Sequence, residues 1–291
     1  MQPAMIVGNF SGSDILEFAL DANGDSAPIA DIGGKKTKIV HADNVALDKS
    51  DHIYASINSS EIAFYSAGAD GNVRPNGQLG GPNTTIVFPI GVAVDSGGYV
   101  YVADCGTGKI DVFEPGARGN IAPLRQLSLG TCVIELALDK NQYLYATSGD
   151  DTITEYAPAS QGNALQRTIN EKEQSGGISI RSIAVDSHGY IYAGNLLTKD
   201  IRVYDRSASG YANPVRTISG SKTHLGAPTG LALDSPNDDL YVTICQYCSH
   251  GSGKDSIVVF APRANGNATP TAVIIGKKTL LDAPTDLTLR Q

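Results

Sequence analysis

The chain has no tryptophan, two methionines and five histidines in 291 residues, and only 18% of it is charged. About 25% would be ordinary. That little charge excludes a coiled coil, with its charged flanking positions, and an acidic disordered chain. No apolar run approaches the ~18 residues that a membrane-spanning helix needs. The net charge of −8 lacks the basic footprint of a nucleic-acid binder. Neither G-x-S-x-G nor H-E-x-x-H occurs. No segment keeps a 3.6-residue period between caps, so essentially no helix is expected.

What the chain has is repetition. Six Gly-led turns, most with Asn and Pro, begin at Gly24, Gly71, Gly119, Gly162, Gly210 and Gly266, at spacings of 47, 48, 43, 48 and 56 residues. In phase with them runs a second ladder: DNVALD (43–48), IGVAVD (90–95), IELALD (134–139), RSIAVD (181–186), TGLALD (229–234) and TDLTLR (285–290). A third follows the first five: HIYASI, YVYVAD, YLYATS, YIYAGN and LYVTIC. Each unit reads as four short strands, a to d, separated by turn residues. The a runs are apolar at nearly every position, as strands packed on both faces are. Six such units of about 45 residues predict an all-β, six-bladed β-propeller with four antiparallel strands per blade.

The ends complete the ring. AMIVGN (4–9) and DILEFAL (14–20) match strands b and c, and residues 285–290 match strand a. One shared blade, 1–34 plus 282–291, therefore closes the ring through a clasp of the two terminal strands. The other blades span about 35–81, 82–130, 131–174, 175–222 and 223–281, within a single domain, expected to be monomeric.

The pattern P-x-G-[VL]-A-[VL]-D … Y-[VI]-Y-[VA] … I-x-V-[FY] runs at 89–113 and, with L-Y-V as its middle element, at 228–260. Here the chain resembles the NHL-repeat and gluconolactonase-like six-bladed propellers. WD40 and kelch signatures are absent. The resemblance implies the fold, and it admits an enzyme, a ligand-binding module or a protein-docking platform. Its lactonase-type members imply a divalent cation in the central channel, although their full Glu/Asn/Asn/Asp set has no counterpart here.

With the start of strand a defined as the top face, the a–b and c–d connections lie on the bottom and the b–c and d–a connections on top. The Gly-Asn turns should then form a bottom rim, and a site should lie on top. One position of strand a reads Asn44, Gly91, Glu135, Ser182, Gly230 and Asp286 around the ring. Asn44, Glu135 and Asp286 could hold Ca²⁺ or another divalent ion, or line a merely hydrated mouth. Asn9, Asn58, Asp104 and Asn195 at the ends of strand b, with Arg181, Tyr247 and His250, are candidate ligand contacts. His41 with Asp43, two residues on, is a weak candidate for a catalytic base. His52 and His188 fall in a–b turns and read as solvated.

Four cysteines remain. Cys105 and Cys132 fall on top of neighbouring blades, and Cys245 and Cys248 share one loop. The pairing 105–132 plus 245–248 fits the repeat; free thiols, or a three-ligand zinc loop at 245–250, are the alternatives. Disulfides, low charge and abundant small polar residues suggest an extracellular or periplasmic protein, although no signal peptide precedes the first strand. Two functions stay open. One is a module binding a small molecule, carbohydrate or protein through the top face. The other is a metal-dependent lactonase- or esterase-type hydrolase, or a cyclic-ester lyase, working at the channel.

Overall fold

The computed structural model describes residues 1–57, 60–162, 164–170, 179–245 and 254–291. Its strands form six four-stranded antiparallel sheets. The inner strands Ala42–Leu47, Pro89–Val94, Val133–Leu138, Ile180–Val185, Ala227–Leu233 and Pro284–Arg290 pack each on the next to close a ring. Among the described residues, helix is confined to single turns at Pro82–Thr84 and Lys277–Thr279.

The core lies between blades. Tyr54, Ile62 and Phe64 of blade one, for example, pack with Ile86, Val92, Val102 and Phe113 of blade two. A strand sandwiched between two such layers has no polar face, hence the apolar ladders. The Asp that ends each ladder has a separate cause. Asp95 Oδ1 accepts the backbone N–H groups of Gly97 and Tyr99, and Asp48, Asp139 and Asp186 do the same in their own a–b turns. The carboxylate thus satisfies a turn whose backbone donors would otherwise lack partners.

The clasp forms as expected. Ala4–Asn9 pairs with Asp14–Ala19 on one side and with Pro284–Arg290 on the other, with Val7 opposite Leu287. Arg290 also forms a buried ion pair with Glu17.

The Gly-Asn loops differ from expectation. Gly119 lies parallel to the outer strand of the preceding blade, against Leu79. Its N–H donates to Gln78 O, and Asn120 Oδ1 accepts the Asn83 N–H, in the connection that climbs to the top face. Asn72 and Asn267 cap Lys36 and Lys222 in the same way. These loops are therefore straps across the blade seams and not a rim of free turns. Gly119 has φ 73°, which a side chain resists. Asn then supplies the acceptor for the Asn83 N–H, while Gly81 O and Thr84 Oγ1 meet the other turn donors.

Candidate functional site

The inner strands enclose a well of about 230 Å³. Its wall descends through Val45, Val92, Leu136 and Leu231 to Leu47, Val94, Leu138 and Leu233 on the bottom face. Toward the top it is closed by a buried polar girdle made by Asn44, Glu135 and Asp286. The sequence brought these three together, but the expectation that they line an open top mouth is corrected: they roof a cavity that opens below.

The girdle's bonds decide what it can hold. Asn44 Nδ2 donates to both Glu135 oxygens at 2.7 and 2.8 Å, while Asn44 Oδ1 accepts the Val92 N–H at 2.8 Å. Glu135 Oε1 also accepts the Leu136 N–H, and Asp286 Oδ2 the Val45 N–H. Asn44 thus presents an NH₂ group, and not its oxygen, to the carboxylate. A hard cation wanting six or more oxygens would have to break these bonds, so the girdle as arranged does not fit one.

Burial pushes the Glu135 carboxyl up to about 7, against the opposing Arg181 charge and hydrogen bonds from Leu136 and Asn44. Asp286 is raised well above the usual range by burial and by Glu135 beside it. Both acids hold protons in the folded state at pH values where the unfolded chain has released them. Stability should therefore fall as pH rises from about 4.5 through 7. Glu135→Gln should flatten that decline in urea unfolding measured at pH 5 and pH 8; an unchanged pH dependence would show that the pair does not carry it.

Above the girdle lies the top mouth. Asp43 and Arg181 stand half-buried at equivalent positions, one residue before Asn44 and Ser182. Burial raises the Asp43 carboxyl, with Arg181 and His41 opposing. Arg181 Nη1 has no hydrogen-bond partner, and among the described residues no carboxylate lies within ion-pair distance of the guanidinium. His41 stacks on Phe10 with ring centroids 4.2 Å apart. The connections around this mouth expose Val40, Val87, Phe88 and Leu280.

The strand-b candidates have a different role. Asp104 is fully buried and accepts the N–H groups of Val87, Phe88 and Gly106. Asn9 is likewise buried, bonding Asp14, Leu280 O and the Asp282 N–H. Asn195 Oδ1 accepts from Leu197 and Thr198. Each caps the top-face loops, because buried loop N–H groups need acceptors. Asn58, Tyr247, Cys248 and His250 lie outside the described residues. The bridge Cys105–Cys132 is present, with Cα atoms 3.9 Å apart, and Cys245 is not a free thiol.

Sequence reasoning missed the bottom face, which holds cavities of about 490 and 540 Å³. His188, read as solvated, there meets Asp186 and Asp238. Among the described residues no helix is long and apolar enough to cross a membrane.

A family model described as the NHL repeat matches residues 87–113. Comparison with curated proteins finds no match. Among solved structures, the chain is similar to a crystal structure of a protein of unknown function from Bacteroides caccae, with a TM-score of 0.72 and 14% identity over 100% of both chains. At that identity the likeness concerns the fold alone. The chain is a six-bladed β-propeller carrying an NHL repeat over residues 87–113.

Proposed function

We propose that this propeller is a non-catalytic binding module that docks a peptide or protein segment on its top face, with Arg181 receiving a carboxylate of the partner. The observation that carries this reading is the buried Arg181 Nη1, which has no hydrogen-bond partner, on a half-buried side chain at a mouth ringed by exposed apolar side chains. An unsatisfied buried donor costs about 1–3 kcal/mol, and a long side chain can turn toward an arriving carboxylate and form a charge-assisted bond. The exposed Val40, Val87 and Leu280 side chains gain by burial against apolar groups. Three of the four exposed side chains at the mouth, Phe88 being the exception, are aliphatic and suit peptide side chains better than a sugar ring. The Cys105–Cys132 bridge supports an oxidising, extracytoplasmic setting.

Panning a random peptide library on the immobilised protein tests this reading. Peptides pairing an apolar side chain with a carboxylate should be enriched, and binding should weaken about ten-fold or more in Arg181→Gln, the range of a lost charged hydrogen bond, and in Phe88→Asp. Enrichment that ignores both substitutions would overturn the assignment. The hydrolase reading is tested on the same preparation: turnover of a lactone and aryl-ester panel with Ca²⁺ or Mn²⁺, abolished by Glu135→Gln, would replace the binding module with an enzyme.

A further inference from the structure

The bottom face carries a second constellation, independent of the top mouth. The a–b turns of blades four and five bring together Asp186, His188 and Asp238, with one ligand atom of each lying within 4.8 Å of the others. Among the described residues no other three His, Cys or acidic side chains converge so closely. We propose that this cluster is a binding site for a divalent transition-metal ion, zinc foremost, with one coordination position or more open to solvent.

The repeat shows which part of the cluster the fold requires. In the neighbouring pair of blades, Gln142 has φ 67° and its Oε1 accepts the Ser96 N–H at 2.9 Å. Asp238 is its counterpart: φ is 58°, and Oδ1 accepts the Ser187 N–H at 3.1 Å. An amide suffices for that link, and the second carboxylate oxygen at position 238 has the Ser187 hydroxyl as its partner, at 2.9 Å. Equally, the place of His188 is taken by Ser50, Gly97 and Asn141 in the other turns. Both departures from the repeat meet at one point.

The Ser187 hydroxyl, 3.1 Å from His188 Nδ1 and 2.9 Å from Asp238 Oδ2, is the group that a metal ion would displace. His188 Nδ1 lies 3.2 Å from Asp238 Oδ2, and an imidazole nitrogen can face a carboxylate oxygen at that distance only with a proton or a cation between them. Ligand atoms around tetrahedral zinc, with bonds of about 2.0–2.1 Å, stand about 3.3 Å apart. Asp186 uses Oδ1 for two turn N–H groups, and its Oδ2 has only the Tyr192 hydroxyl at 3.4 Å. His188 is exposed, which leaves its ring room to adjust toward coordination spacing. Cavities of about 490 and 220 Å³ adjoin Asp186 and His188, leaving room for water as a further ligand. Arg216 lines the smaller one, but its guanidinium is held by the Tyr192 hydroxyl and lies over the Tyr190 and Tyr192 rings. The imidazole selects the metal class: nitrogen suits zinc, nickel and copper, whereas calcium and magnesium prefer oxygen alone.

Calorimetric titration of Zn²⁺ into tag-free, metal-stripped protein is the test. One site per chain should appear, weakened at least ~10-fold in His188→Ala and in Asp238→Asn. The asparagine keeps an acceptor for the Ser187 N–H, as Gln142 does for Ser96, and so guards against a variant that merely misfolds. His52→Ala is the control, since His52 Nδ1 meets only Asp48 Oδ2, at 2.9 Å; its titration should match wild type. Substituting Co²⁺ should give visible absorption that His188→Ala removes. Absence of Zn²⁺ binding by the wild type, equal binding by the His188 and Asp238 variants, or loss in His52→Ala would each overturn the assignment. Because the probe is the metal alone, failure here leaves the peptide-docking reading untouched.

Discussion

A chain ending at residue 281 is expected to yield no folded monomer. The deletion removes the inner strand of the shared blade, Pro284–Arg290. It leaves Ala4–Asn9, buried at every position, with an unpaired edge facing an emptied channel wall. Exposed flat edges of this kind recruit other chains. Leu287 leaves the cluster built on Met5, Val7, Phe18 and Ile257, and Glu17 loses its buried partner Arg290. The combined loss exceeds the roughly 5–15 kcal/mol that holds a typical domain together. Size-exclusion chromatography should show aggregate or expanded chain; a monomer melting with the full-length protein would contradict the clasp. Arg290→Met isolates the ion pair: stranding a buried charge costs about 3–5 kcal/mol, read by urea unfolding.

The strand ladders were legible because each position answers to one local demand. Burial on both faces makes Val92, Ala93 and Val94 apolar, and the turn after them requires the Asp95 carboxylate. Other features depended on neighbours that the sequence does not place side by side. Asn120 looks like a turn residue until the Asn83 N–H appears beside it. Asp104 and Asn9 look like ligand groups because a polar residue ending an apolar strand reads the same whether it caps a loop or meets a solute. Only their complete burial separates the two. The bottom cluster was hidden by a one-residue insertion. In blade five the turn runs Asp234 to Asp239, with Oδ1 accepting from Asn237 and Asp239, where the other turns need one residue fewer. That shift obscures the match of Asp238 to Gln142, although His188 in a place otherwise given to Ser, Gly or Asn was a readable signal.

Loss of the Cys105–Cys132 bridge should cost on the order of 3–4 kcal/mol, the chain-entropy value for closing 27 residues of sequence. The bridge joins the end of strand Val100–Asp104 to the approach to Val133–Leu138, and so ties blade two to blade three at the top face. Its effect should extend to the docking surface. The Cys105 N–H donates to Phe88 O at 2.9 Å, and the Gly149 N–H donates to Cys132 O at 2.8 Å. Cys105 therefore sits against the segment that presents Val87 and Phe88, and the bridge ties that segment to the Cys132–Gly149 contact of blade three. The double variant Cys105→Ser, Cys132→Ser should fold under native conditions but reach its urea midpoint at lower denaturant. Hydrogen exchange should be faster at residues 86–88 and unchanged in the strand Ala4–Asn9, across the ring. Reductant should destabilise the wild type and not the double variant, provided that the remaining cysteines, Cys245 and Cys248, are also replaced by serine in both backgrounds. Equal urea midpoints with and without the bridge would mean that strand pairing and the Asp104 cap alone hold the seam between blades two and three.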